Sequence, residues 1–187
     1  MKVIICKDSE EMSRVAAQIF ADRTKKKPNI VLGLATGSTP VKMYKELIRM
    51  RNDGELDFSK ASSFNLDEYL GLSGDHDQSY RYFMDTNLFN HINIKKSKTR
   101  VLNGKAKDPS VECKNFEAAI KTAGGIDIQL LGIGGNGHIA FNEPGSPKNS
   151  RTRIVDLTQK TIEDNARFFA SANDVPKQAL SMGNGTI

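Results

Sequence analysis

The sequence predicts an α/β protein built on an open, mostly parallel sheet with helices on its faces. Three observations carry this reading. Short apolar runs alternate with stretches of helical period, the apolar runs end in loops that carry glycines or acids, and 187 residues with 38% hydrophobic content suffice for one core. A single domain over residues 1–187 is expected, because no repeat, low-complexity tract or long linker interrupts the chain.

The elements follow in order. Val3 to Cys6 reads as a short buried strand, and Asp8 to Glu11 as a capping box that opens a helix with Met12, Val15, Ala16, Ile19 and Phe20 on one face. Pro28 and Asn29 punctuate the return to a second strand, Ile30 to Leu34. A glycine-bearing turn, Gly33 to Pro40, leads to a helix carrying Val41, Tyr44, Leu47 and Ile48, with Thr39 as its expected cap and Pro40 in its first turn. Ala61 to Leu66 is the third strand. Tyr80, Phe83, Met84, Asn87 and Leu88 form a mostly apolar helical stripe, read as packing. Arg100 to Leu102 is a short strand, Pro109 opens a helix closed by Gly124 and Gly125, and Ile126 to Ile133 is a nearly continuous apolar, hence central, strand. A strand at Arg151 to Leu157, a helix from Thr158 to Phe169 and a turn of helix at Pro176 to Leu180 complete the reading.

Composition removes several classes of function. A formal charge of +5, with dense basic runs only at Lys25 to Lys27 and Lys95 to Lys98 and no interleaved aromatics, gives no nucleic-acid platform. The first apolar run meets Lys7 and Asp8 at once, too short for a signal segment or a membrane span, so a cytoplasmic protein is expected. Cys6 and Cys113 are too few and too distant for a disulfide framework. Three histidines without a ligand motif make no recognisable metal site, and His76 and His91 are expected to be structural or solvent-exposed.

Chemistry concentrates in three places. Leu130 to Pro144, LLGIGGNGHIAFNEP, delivers His138 and Glu143 from a glycine-rich loop, where a carboxylate facing an imidazole fixes its tautomer. Gly37, flanked by the hydroxyls of Thr36, Ser38 and Thr39 before a helix, makes an anion site most simply suited to phosphate; it lacks the lysine of a nucleotide P-loop. Asp67 and Glu68 end the third strand, where open α/β sheets place ligands; adjacent residues point oppositely, so one acid can act as base while the other holds the loop. Gly132 to Gly137 also satisfies G-x-G-x-x-G, with Asp156 downstream as a ribose partner, but Pro144 follows closely and the fingerprint is not in the first strand-helix unit. Together the parts suit proton abstraction next to a carbonyl or imine of a phosphorylated substrate, with no cofactor required.

The segments LGLATGSTP, FNLDEYLGL, GIGGNGHIAFNEPG, SRTR and NARFF, in this order, make the chain similar to the glucosamine-6-phosphate deaminase family; the related 6-phosphogluconolactonases share its fold. The resemblance implies a Rossmann-like three-layer sandwich. It implies conversion of glucosamine 6-phosphate, a phosphorylated amino sugar, to fructose 6-phosphate and ammonia, with Asp67 as the C2 base, His138 in ring opening and Glu143 and Asn136 supporting it. It also places Thr36, Gly37, Ser38, Thr39 and Arg167 near the phosphate. Asn136 stands where other members carry aspartate, and Pro147 and Val155 stand where the allosteric hexamers use polar or basic residues, which points to a smaller homo-oligomer. Family chains continue with a further strand, a helix and a phosphate-reaching lysine, so this chain is expected to be C-terminally incomplete relative to them. A lactonase and a non-catalytic sugar-phosphate sensor are the alternatives.

Overall fold

The computed structural model describes residues 1–187, the side chain of Ala172 excepted. Its elements are α1 (Ser9–Lys26), β1 (Val31–Leu34), α2 (Val41–Asn52), β2 (Ser62–Asn65), β3 (Asp67–Tyr69), α3 (Tyr80–Asn87), β4 (Thr99–Arg100), α4 (Pro109–Thr122), β5 (Ile128–Gln129), β6 (Arg153–Asp156), α5 (Gln159–Ala166) and β7 (Gln178–Ser181). Four strands form a parallel sheet in the order β4-β2-β1-β5, and three form an antiparallel sheet in the order β3-β7-β6.

All four residues of β1 are buried, as a parallel strand covered on both faces requires. Leu32 and Leu34 pack with Ala17, Phe20, Tyr44 and Leu47 of α1 and α2, whereas Val31 packs with Phe116 and Ile120 of α4. The period-2 alternation of β1 thus feeds two helical layers, giving the expected three-layer arrangement. Phe64 of β2 meets Phe116 edge-on, with ring centroids 5.4 Å apart. The start of α1 is read correctly: the Asp8 side chain accepts from the Glu11 amide at 2.8 Å, although Glu11 accepts from Lys7 N–H rather than from Asp8.

Five expectations are corrected. The inward face of α1 is Ser13, Ala17, Phe20, Ala21 and Thr24, while Met12 and Ile19 are 42% and 43% exposed, because the small side chains of Ser13, Ala17 and Ala21 face the neighbouring layer and the larger apolar ones lie to the side. Val3 to Cys6 is not a strand: it pairs with nothing in the described residues, and Val3 and Ile5 are 69% and 93% exposed. β propensity supplies no ladder partner, and without one an apolar run is only extended chain. Ile126 to Ile133 shortens to β5, which lies at an edge of the parallel sheet, paired only with β1. The region around Pro176 is a strand, not a helical turn, because Gln178–Ser181 pairs antiparallel with both β3 and β6. Thr39 does not cap α2; Pro40 occupies the cap position with φ −75° and no side chain bonds the helix end.

Tyr44 joins this frame to the loop beyond β1. Its ring is fully buried in the α1/α2 layer, and its hydroxyl donates to the carbonyl of Ala35, one residue before Thr36. Tyr44→Phe should leave that buried carbonyl unpaired and cost about 1–3 kcal/mol; urea titration of the variant against the parent measures it, and equal midpoints would show that the bond contributes nothing.

Candidate functional site

A cavity of about 640 Å³ opens at the carboxyl ends of β1, β2 and β5, where ligands of open α/β sheets bind. Its wall includes Thr36, Gly37, Ser38, Thr39, Asp67, His138 and Arg167. Seven of the nine predicted site residues therefore meet around one space. The other two, Asn136 and Glu143, stand behind His138.

Asp67 arrives there by a change of sheet. β2 ends at Asn65 and β3 begins at Asp67; Leu66 between them donates its N–H to Leu34 and accepts at its carbonyl from Met182 N–H. Asp67 is 7% exposed, and among the described residues no donor reaches its carboxylate. Burial, with a smaller contribution from the neighbouring Glu68 charge, pushes its titration from 3.8 up to about 8. Glu68 points the other way and accepts from the backbone N–H groups of Tyr69, Tyr80 and Arg81, tying β3 to the first turn of α3. Burial raises Glu68 to about 7 against the pull of those amides. The two neighbouring acids face opposite ways, Asp67 into the cavity and Glu68 onto the backbone of α3, as their alternation along the strand predicts.

The histidine loop is held by a directed chain of hydrogen bonds. His138 Nδ1 lies 2.7 Å from Asn136 Oδ1, and Asn136 Nδ2 donates to Glu143 Oε2 at 2.6 Å. Glu143 Oε2 itself is 3.9 Å from His138 Nδ1, so the carboxylate acts on the ring through Asn136 rather than by facing it directly. An amide oxygen can only accept, so Nδ1 carries the hydrogen and, in the neutral ring, Nε2 is the acceptor. Glu143 Oε1 accepts from Thr161 Oγ1 at 2.6 Å and from Thr158 Oγ1 at 3.2 Å. Burial pushes the Glu143 carboxyl up, but the bonds from Thr161 and Asn136 and the His138 charge outweigh it and the net shift is downward. Gly134 permits the arrangement, since a Cβ there would enter the His138 ring. Ala140, on the cavity wall, has φ 52°, a left-handed conformation that L residues rarely hold, within the tight turn in which Asn142 N–H bonds Ile139.

Across the cavity, Gly37 has φ 100°, which turns the chain so that Thr36, Ser38 and Thr39 line the wall. Among the described residues the three hydroxyls have no protein partner. Arg167 follows α5, with its guanidinium 4.7 Å from the Phe168 ring centroid and no carboxylate within ion-pair distance in the described residues. An exposed, always charged fork sharing a cavity wall with hydroxyls and a turned backbone has the chemistry that suits an oxyanion such as phosphate.

Sequence reading missed the aromatic lining. Tyr80 stacks on Phe141 at 6.2 Å and 13°, and Tyr69 meets both, with Phe169 edge-on at 5.7 Å. All four line the cavity, as does Phe83, although the α3 stripe was expected to be packing alone. No periodicity signal separates the two roles, because Tyr69 lies on β3, Tyr80 and Phe83 on α3, and Phe141 and Phe169 in loops. The dinucleotide fingerprint fails: no helix follows the glycines, and Asp156 bonds Gln178 Nε2 on an exposed sheet face. His76 and His91 are absent from the cavity wall, His91 bonding the Thr86 carbonyl. No helix of the described residues is long and apolar enough to cross a membrane.

Residues 7–171 match the family model described as glucosamine-6-phosphate isomerases/6-phosphogluconolactonase. A glucosamine-6-phosphate deaminase of Clostridium perfringens is 63% identical over all 187 residues, which cover 77% of its length. A solved structure described as a monomeric glucosamine-6-phosphate deaminase superposes with a TM-score of 0.98 at 49% identity, over 100% of this chain and 78% of that one. The 6-phosphogluconolactonase of Thermotoga maritima shares the fold alone, with a TM-score of 0.74 at 18% identity, over 97% of this chain and 76% of its own. A match over most of the chain, with a wholly aligned relative at 63% identity, is membership: the protein belongs to the glucosamine-6-phosphate isomerase/6-phosphogluconolactonase family.

Proposed function

We propose that this chain is a glucosamine-6-phosphate deaminase, converting glucosamine 6-phosphate and water to fructose 6-phosphate and ammonia. The observation that carries the reading is one cavity holding an unpartnered buried carboxylate, a histidine with an oriented acceptor nitrogen and a phosphate-suited turn with an arginine. The names of the close relatives support the same activity, and the relative described as monomeric supports a small assembly here as well.

In this mechanism Thr36, Gly37, Ser38, Thr39 and Arg167 hold the phosphate and so fix the sugar along the cavity. His138 Nε2 takes the proton of the anomeric hydroxyl as the C1–O5 bond opens, and the imidazolium returns it to O5. Asn136 and Glu143 hold the tautomer this needs. In the open chain Asp67 removes the C2 proton while the substrate's ammonium gives one proton to the C1 carbonyl oxygen, forming an enol-amine, and the protonated Asp67 then delivers its proton to C1. The resulting C2 imine takes up one water and releases ammonia, leaving the ketone. A carboxylate raised to about 8 is a strong base once ionised, and the substrate's ammonium, bonded to C2, favours its ionisation.

Ammonia release from glucosamine 6-phosphate, coupled to fructose 6-phosphate formation, is the direct test; a folded chain that binds the sugar and releases neither product refutes the reading. Asp67→Asn should lower release by at least about 100-fold and abolish exchange of the C2 hydrogen with deuterated solvent, while retaining binding; persistent exchange would remove Asp67 as the base.

The same substitution has a stability signature. Below about pH 4 Asp67 is protonated in native and unfolded chains alike; as pH rises toward 8 the unfolded chain ionises first, and native stability falls. Asp67→Asn should therefore melt higher than the parent at pH 8, by a margin that vanishes near pH 4. Calorimetry across that range checks it, and a margin independent of pH would contradict the raised titration.

A further inference from the structure

Behind the catalytic histidine, the chain of donors does not stop at Glu143. Thr161, on α5 and only 7% exposed, presses its hydroxyl against Glu143 Oε1 at 2.6 Å. The direction of this bond is settled by the groups around it. A carboxylate can only accept, so the single Thr161 proton goes to Glu143. Thr158, the cap of α5, accepts from the Thr161 amide at 3.2 Å, and its own proton has two acceptors in reach, Glu143 Oε1 at 3.2 Å and Thr161 Oγ1 at 3.0 Å. Thr158 thus shares its hydrogen, whereas Thr161 commits its one.

We infer that Thr161 is a positioning residue for His138: its hydroxyl fixes the Glu143 carboxylate, which fixes Asn136, which fixes the imidazole tautomer and plane. Every bond in the series points toward Glu143, from Thr161 Oγ1 on one side and from Asn136 Nδ2 on the other, and His138 Nδ1 in turn donates to Asn136 Oδ1. The two oxygens of one carboxylate are held by separate donors, Asn136 on Oε2 and Thr161 on Oε1, and Thr161 makes the shorter of the two hydroxyl contacts on Oε1. Asn136 alone leaves Oε1 to the shared proton of Thr158. Among the described residues His138 is the one cationic group within 4 Å of Glu143, so no lysine or arginine can replace the lost donor. The shift of Glu143 below its ordinary range, to which Thr161 is the largest lowering contributor, agrees with this geometry. Thr161 also lines the cavity, yet its hydroxyl proton is spent on Glu143 and is not free to donate to the sugar.

The inference rests on the deaminase reading for its kinetic consequence, but the hold on Glu143 can be read without turnover. Thr161→Val keeps the shape and removes the hydroxyl. It should lower kcat for glucosamine 6-phosphate by roughly 10- to 100-fold, the cost of a misaligned reacting group, with KM within about twofold, and Thr161→Ser should restore kcat. The Glu143 carboxylate, followed by carbon-13 NMR, should titrate higher in Thr161→Val and as in the parent in Thr161→Ser. If the valine variant does not fold, Thr161→Ala, which removes the hydroxyl without adding bulk, should give the same readings. Unchanged kcat, a rise in KM alone, failure of serine to rescue, or an unmoved Glu143 titration would each overturn the role given to Thr161. Absence of ammonia release by the parent would overturn the deaminase reading instead, with the carboxylate titration still deciding whether Thr161 holds Glu143.

Discussion

The arrangement depends on one residue at which the chain leaves one sheet for another. Leu66 keeps its amide in the parallel ladder, donating to Leu34, and gives its carbonyl to the antiparallel one, accepting from Met182. Both of its backbone groups are satisfied, so the change of direction occurs in the interior without an orphaned donor or acceptor. Its side chain packs with Val31, Phe64 and Leu102 in the layer beneath α4. The crossing is therefore fixed by the same core that supports the parallel sheet. The residue on its far side has no freedom of its own, and that residue is Asp67.

Rigidity of this kind makes a costly group tolerable. A carboxylate that no donor among the described residues reaches, at 7% exposure, opposes folding whenever it is charged. Glu68, one position on, shows the opposite treatment of the same functional group, with three backbone amides gathered on its oxygens. The difference comes from strand geometry, since successive side chains face opposite sides of β3. One face meets the amino end of α3, and the other meets an open cavity. Stability is gained on the first face, and on the second a charged carboxylate works against it.

Much of this was legible from residue order. The Asp8 cap of α1, the inward face of α2, the start of α4 at Pro109 and the Gly37 turn all follow from local chemistry that acts over three or four residues. Nonlocal pairing was not legible. Val3 to Cys6 and Ala179 to Leu180 are both short apolar runs, and only the second finds neighbours in register. Length and period cannot distinguish them. The site divides in the same way: Asp67, His138 and Gly37 stand out by residue type and by place at a strand's end, whereas Thr161 and the aromatic wall residues reach the cavity only through contacts made across the fold. Glu143 was read as facing the imidazole, and an intervening amide that bonds both groups is a detail that spacing alone does not specify.

That amide has a consequence for where protons can travel. Asn136 passes orientation from Glu143 to His138, but a neutral amide does not take up a proton at any ordinary pH, so the series is mechanically continuous and protonically broken. Whatever hydrogen the imidazole collects on its cavity side has no exit through the protein behind it. It must leave by the door it came in, to the sugar or to water in the cavity. A site with aspartate in this position would own a reservoir at its back; this one works as a closed account between the histidine and whatever occupies the cavity.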